Sequence, residues 1–185
     1  MPGLKFRVLL DSDKNEEVFR DILIADSENF ETLYHAILKS FKFKGDQMAS
    51  FYVSNDNWDK GHEISLMDMS YDDDSIDSPS AVMKTAVIKD FLEEPDQKFI
   101  LVYDFMRMWI FLVELIGFDR VEPETPEMIL SVGNAPLEDS KESMNEDLFI
   151  EGEESSEEEE DEFGFNEFDD DYSDDDLNDY NEYEY

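Results

Sequence analysis

The distribution of charge along the chain limits what it can fold into more than any other feature. No Lys or Arg follows Lys141, and 22 of the 51 acidic residues lie in 142–185. A low-complexity segment with this much self-repulsion buries too little apolar surface to offset the conformational entropy that folding costs. The sequence therefore predicts a folded domain over 1–141 and a disordered acidic tail over 142–185.

The tail nevertheless contains eight aromatic residues. Acidic segments with interspersed aromatics are typical of recognition segments, because the charge keeps the hydrophobic side chains solvated until a basic, grooved partner binds. A tail that only keeps the protein soluble is the alternative. We take Phe163, Phe165, Phe168 and Tyr172 as the candidate binding residues. An EF-hand over Asp169–Asp176 is excluded, since the sixth position lacks Gly and the twelfth lacks Glu.

The folded part is acidic as well, since 29 acidic residues stand against all 14 basic ones, a net charge of −15. This charge favours a basic protein as partner and disfavours nucleic acid as a direct ligand and anionic membranes. The chain has no Cys, which excludes disulfides and thiolate metal sites. The first ten residues show no signal-peptide pattern, so we expect a cytoplasmic protein.

Hydrophobic periodicity predicts the first half of the fold. Leu4–Leu10 and Val18–Ala25 are strand-like and flank a short polar loop, so they are expected to pair as a hairpin. Apolar residues recur at helical spacing over Asp26–Phe43, which predicts an amphipathic helix. Ser27 or Asn29 is available to cap it.

The strongest strands are Phe99–Phe105 and Met108–Ile116, whose nearly unbroken apolar runs predict central positions covered on both faces. Only two residues separate them, so a tight hairpin is expected. The element order predicts an α+β domain: a small mixed or antiparallel sheet with one or two helices packed on it. Shorter elements are expected as well: strands at Ala49–Val53 and Glu63–Leu66, a loop over 67–80, a helix from Thr85 to Leu92 and irregular chain over 121–137.

No motif in the sequence identifies a catalytic, metal-binding or cofactor-binding site. Gly-rich phosphate loops and HExxH are absent, and the two histidines, His35 and His62, fit surface or strand-entry positions. Asp104 and Glu114 would form a general acid–base pair if they faced each other across the hairpin. The alternative is that Asp104 initiates the turn by hydrogen bonding to its backbone.

Residues 103–114, YDFMRMWIFLVE, resemble a motif of the plasmid pRiA4b ORF-3-like family, Y-D-F-G-D-x-W-x-H-x-V/I. Tyr103, Asp104, Phe105, Trp109 and Val113 match it, whereas Met106-Arg107 replaces Gly-Asp and Phe111 replaces His. Two further stretches support the resemblance: Val18–Arg20 resembles I-W-R before a strand, and Leu33–Phe43 stands where the family has a helix opening L-x-x-L-H. In Gly133–Asp139, Pro136, Glu138 and Asp139 are retained from the family's P-P-E-D segment.

The resemblance covers about residues 4–140 and implies a small α+β domain without a settled activity. Because the polar Gly-Asp and His positions are replaced, a site built on them is expected to be lost. We therefore expect a non-enzymatic interaction or accessory protein without a cofactor. The alternative is a small-ligand-binding or enzymatic domain with a pocket formed by Tyr103, Asp104, Trp109, His35, Glu138 and Asp139.

A third hypothesis is a nucleic-acid function connected with mobile elements. It conflicts with the net charge. It requires that the fold gather Lys5, Arg7, Lys39, Lys42 and Lys44 on one basic face.

Overall fold

The computed structural model describes residues 2–68 and 81–142. In these ranges the chain forms one eight-stranded sheet with an α-helix, α1 (Phe30–Phe41), packed against one face. Two 3-10 turns accompany it, at Ile88–Phe91 and Glu138–Ser140. The strands are β1 (Gly3–Asp11), β2 (Phe19–Ala25), β3 (Ala49–Ser54), β4 (Glu63–Ser65), β5 (Ala81–Val82), β6 (Lys98–Tyr103), β7 (Trp109–Asp119) and β8 (Glu127–Val132).

The strand order is β5-β4-β3-β6-β7-β1-β2-β8. Neighbouring strands are antiparallel except β4 and β5, which are parallel. The predicted hairpin of β1 and β2 is confirmed, and β1 also pairs along its whole length with β7. The mixed sheet is therefore confirmed. With eight strands and one α-helix in the described residues, the fold is mostly sheet rather than an even mixture of the two.

The helix forms where its apolar spacing predicts. Asn29 caps it, because the Asn29 side-chain oxygen accepts a hydrogen bond from the Thr32 amide at 2.9 Å. Lys42 ends it in the left-handed conformation with φ 60°. Of the two predicted caps, Asn29 is the one the structure uses. The buried face consists of Phe30, Leu33, Tyr34, Ile37, Leu38 and Phe41.

The core lies between this helix face and the alternate residues of the central strands. The ring of Phe30 meets those of Phe51 and Phe99 edge to face, each with centroids 5.2 Å apart. At the other end of the helix, Phe41 packs edge to face on Phe111 at 5.0 Å. These aromatic contacts fix the position of α1 on the sheet.

The central position of β6 and β7 is confirmed. Coverage on both faces holds for β6, in which every residue from Phe99 to Tyr103 is buried, but β7 alternates between buried and half-buried residues. The turn between them is longer than predicted and runs from Asp104 to Met108, both with positive φ. The Met108 amide closes it by donating to the Asp104 carbonyl at 2.6 Å.

Two predictions of local structure are wrong. The stretch 121–137 contains β8, which pairs with β2. The expected helix from Thr85 to Leu92 is only the 3-10 turn Ile88–Phe91, because the residue before it, Val87, is extended and forms a β-bridge with Asn29. Most of the predicted loop over 67–80 and all but Glu142 of the acidic tail lie outside the described residues. None of the described helices is both long and apolar enough to span a bilayer.

Candidate functional site

The Tyr103 hydroxyl joins three separate parts of the chain. Tyr103 is fully buried at the end of β6 and donates a hydrogen bond of 2.6 Å to the Glu138 carboxylate. The same oxygen accepts hydrogen bonds from the amides of Gly45 and Asp46 at 3.1 and 3.2 Å. Burial, and after it the hydrogen bond to Glu138, raises the pKa of Tyr103 well above its usual value. Tyr103 therefore stays protonated and acts as a structural donor.

Glu138 is committed to this junction through both carboxylate oxygens. One accepts from Tyr103 and the other from the Lys44 amide at 2.8 Å. Its backbone carbonyl accepts the Trp109 indole N–H at 3.2 Å. Three of the six candidate residues, Tyr103, Trp109 and Glu138, are thus brought together, and their contacts pin the segment after β8 to the sheet.

Trp109 is buried, with 3% of its surface exposed. Its ring packs edge to face on Phe43 with centroids 5.0 Å apart. The Lys141 ammonium lies 5.3 Å from the ring centroid and donates to the Met108 carbonyl at 2.6 Å. The Arg107 guanidinium in turn donates to the Lys141 carbonyl at 2.9 Å. The indole is therefore held by Phe43, Lys141 and the Glu138 carbonyl as a packing element.

Asp104 initiates the turn, as the second of the two interpretations predicted. Its carboxylate accepts from the amides of Met106 and Arg107 at 3.1 and 3.2 Å and lies 3.5 Å from the Arg107 guanidinium. Glu114 instead lies opposite Lys98 in the sheet and forms an ion pair with it at 3.6 Å. The predicted acid–base pair of Asp104 and Glu114 does not form, because the strand register separates the two residues.

The other two predicted pocket residues stay outside the junction. His35 is exposed on α1, 3.7 Å from the Glu31 carboxylate, and the ring of Tyr34 lies beside it. Asp139 is exposed in the 3-10 turn next to Glu138. The six candidate residues therefore do not converge on one open cleft.

The basic residues do not gather on one face either. Arg7 forms a two-pronged hydrogen bond with Asp21 at 2.8 Å, which raises the Arg7 pKa, and Lys5 pairs with Asp119 at 3.2 Å. Both residues lie on β1. The other three residues that the nucleic-acid hypothesis named line a shallow hollow around the end of α1: Lys39, Lys42 and Lys44. The face that the nucleic-acid hypothesis required is therefore absent from the described part of the chain.

A cavity of about 500 Å³ opens beside Trp109, between the β1–β2 loop and the segment after β8. Its size is typical of small-molecule sites. Three carboxylates and two ammonium groups line it, together with an apolar floor. Its charged residues are Asp11, Asp13, Glu16, Lys14 and Lys141, and its apolar ones are Val18, Trp109, Ile110 and Pro136.

Sequence reasoning missed this cavity, because the β1–β2 loop was treated only as a polar turn. Gly133 fixes the opposite wall. Its φ is +77°, and a Cβ placed there would lie 2.4 Å from the Glu17 carbonyl oxygen. Only glycine allows the chain to leave β8 this close to the loop. The acidic β1–β2 loop and the segment Gly133–Pro136 (GNAP) are the sequence features that could have indicated the cavity.

Within residues 2–68 and 81–142, no three His, Asp or Glu side chains are grouped so that they could hold a metal ion.

The family model for "Plasmid pRiA4b ORF-3-like protein" matches residues 2–182. The chain belongs to this family. The match extends beyond residue 140, where the resemblance in sequence motifs ended.

The pRiA4b ORF-3-like chain also resembles a solved structure, a protein of unknown function from Methanosarcina mazei Go1. The two are 21% identical with a TM-score of 0.61, over 82% of this chain and 81% of the other. This likeness shows the shared fold. No curated protein matches the sequence.

In this pRiA4b ORF-3-like protein, two residues that differ from the family motif make defined contacts in the fold. Phe111, at the family's His position, is fully buried and packs on Phe41 and Phe43. Arg107, at the family's Asp position, pairs with Asp104 and holds the Lys141 carbonyl. Phe111 therefore packs in the core, and Arg107 tethers the chain at Lys141.

Proposed function

We propose that this pRiA4b ORF-3-like protein is a non-enzymatic interaction or accessory protein that binds a basic protein partner in the cytoplasm. One observation carries the proposal: Tyr103, Asp104 and Glu138, three of the six candidate residues, are engaged in hydrogen bonds that hold the fold. Tyr103 and Glu138 satisfy each other, and Asp104 closes a turn. A general acid or base must instead lie within hydrogen-bond reach of a substrate proton, whereas these groups bond to other parts of the chain.

The charge supports the choice of partner. The chain carries a net charge of −37, which attracts basic proteins over long distances and repels nucleic acid. We assign the long-range attraction to the carboxylates of 142–185 and the short-range contacts to the aromatics among them. Carboxylates then set the association rate and its salt dependence, whereas aromatics set the dissociation rate.

Pull-down with the full-length protein and a 1–141 truncation tests the proposal. Limited proteolysis first checks that the domain ends near residue 141. The retained partner is then purified and its association and dissociation rates are measured at several salt concentrations. Replacing Phe163, Phe165 and Phe168 with Ser is expected to raise the dissociation rate and leave the salt slope unchanged. Replacing Glu157–Glu160 with Gln is expected to flatten the slope. Equal binding by the truncated and full-length proteins would refute recruitment by the tail.

The cavity beside Trp109 favours a second function, the binding of a small cationic ligand. Its carboxylates outnumber its ammonium groups, and an indole and aliphatic side chains suit the apolar part of an alkylammonium. Spermidine is a suitable probe, with Trp109 fluorescence recorded in a Trp58→Phe background. Saturable quenching that is lost when Asp13 and Glu16 are replaced by Asn and Gln supports this function. Unsaturable or unchanged emission would exclude it for this class of ligand.

A further inference from the structure

β8 is an edge of the sheet that presents apolar side chains to solvent. Within the described ranges only β2 pairs with it, and it stands last in the strand order. Three consecutive large apolar residues, Met128, Ile129 and Leu130, are 52%, 47% and 43% exposed. Charged side chains commonly protect edge strands; Glu127 begins β8, but the run 128–130 contains none. The free backbone of this run is a template for another strand.

The register places apolar side chains on both faces of the sheet at this edge. Met128 lies opposite Ile22, which faces the core, and Leu130 lies opposite Asp21, which faces away from the helix. An irregularity between these pairs accommodates Ile129 as an extra residue. A strand added to β8 therefore meets apolar side chains above and below its backbone.

Charge decides which occupant suits this edge. Glu122, Glu124 and Glu127 are exposed on the approach to β8 and at its first residue. A second copy of the chain would bring the same glutamates and a net charge of −37 against them. Like charges placed together across an interface oppose association. A strand carrying Lys or Arg is attracted by the same glutamates.

We propose that β8 binds an extended segment of the basic partner by strand addition. The segment alternates apolar residues with Lys or Arg, so that its backbone pairs with β8 while its cations reach the flanking glutamates. The inference rests on the proposed function, since it names the surface through which the folded domain contacts that partner.

Fluorescence anisotropy with the full-length protein tests this docking surface. The probe is a fluorescein-labelled decapeptide in which Val and Lys alternate, and its control carries Pro at the two central positions. Pro removes backbone donors and disrupts a strand but leaves most of the charge. We expect the Pro peptide to bind about tenfold more weakly or worse. Equal binding of both peptides shows charge attraction alone and overturns strand addition, as does no binding of the Val-Lys peptide at low salt.

Variants locate the contact. Replacing Met128, Ile129 and Leu130 with Ser is expected to weaken peptide binding about tenfold, since three exposed apolar contacts are lost, and to leave the salt slope unchanged. The matched control replaces Val121 and Leu137, 72% and 79% exposed, with Ser and is expected to bind normally. Circular dichroism checks folding, and the single Ile129→Ser variant serves if the triple variant unfolds, with a smaller loss expected.

The outcomes separate this inference from the proposed function. Wild-type affinity in the Ser variants overturns docking at β8, while partner capture that depends on 142–185 leaves the proposed function standing. Self-association of the wild-type protein that the Ile129→Ser variant abolishes makes a second copy the occupant and overturns the basic segment.

Discussion

Replacing Tyr103 with Phe tests whether the junction at the end of β6 holds the fold together. The change removes a 2.6 Å hydrogen bond to the Glu138 carboxylate and leaves two amides, those of Gly45 and Asp46, without their acceptor. A hydrogen bond to a charged group contributes about 1.5–3 kcal/mol. Gly45 is half-buried and Asp46 exposed, so we expect water to replace the lost acceptor at both amides in the variant. We therefore expect a loss of about 2–3 kcal/mol in the free energy of unfolding.

Urea unfolding followed by circular dichroism measures the loss, and two variants control it. Tyr34 is equally buried, but its hydroxyl makes only a 3.4 Å hydrogen bond to the neutral Gln47 carbonyl. Tyr34→Phe is therefore expected to cost less than about 1 kcal/mol. Glu138→Gln removes the charge and keeps an acceptor. A double-mutant cycle between positions 103 and 138 should give a coupling energy of about 1–2 kcal/mol.

The reasoning fails if Tyr103→Phe and Tyr34→Phe cost the same, because burial is then the whole effect. It also fails if the cycle gives a coupling energy near zero, since Glu138 would then gain nothing from the Tyr103 hydroxyl. A crystal structure of Tyr103→Phe in which the 3-10 turn at 138–140 has not moved would likewise count against the reasoning.

Three other perturbations are informative. Trp109→Ala is expected to cost about 3–5 kcal/mol in urea unfolding; red-shifted, freely quenchable Trp109 emission in a Trp58→Phe background would contradict the burial. Burial raises the pKa of Tyr34 to about 12 and that of Tyr103 above its usual value, so the folded state retains protons that the unfolded state loses. The stability that these two tyrosines contribute is then constant below pH ~10 and falls as the pH rises further, and urea midpoints from pH 8 to 11 that do not fall would refute this. Asp104→Ala is expected to cost about 2–3 kcal/mol, because it removes the carboxylate oxygen that accepts from the Met106 and Arg107 amides at a residue with φ 58°. Asn is expected to be tolerated, and equal melting temperatures for the two variants would refute this.

The local sequence pattern predicted a strand or helix correctly where burial of one face imposes a regular spacing of apolar residues. The alternation in β1 and the helical spacing in α1 predicted both elements, because each packs one face on the core. β8 was not predicted because its run EMILSV is exposed except for the half-buried Val132 and follows Pro123 and Pro126. With no buried face, the strand has no alternation to detect.

The sequence indicated three residues of the junction at the end of β6 but not the structural role that they have there. The motif resemblance singled out Tyr103, Trp109 and Glu138, and the structure brings these three together. Their bonding depends on where the segment after β8 crosses the sheet, which local spacing does not encode. The same holds for the cavity, since Gly133 brings Asn134 and Pro136 opposite a loop more than 100 residues earlier.

The position of β1 inside the sheet affects how the protein is made. β1 is complete as a hairpin with β2 after residue 25, but its other edge pairs with β7, about 100 residues later in the chain. Domains emerge from the ribosome at about 5–20 residues per second, so that edge stays unpaired for roughly 5–20 s of synthesis. During this time Phe6 and Val8 lack the strand that later completes their packing. Factors that shield nascent chains from pairing with one another should therefore raise the yield of folded protein.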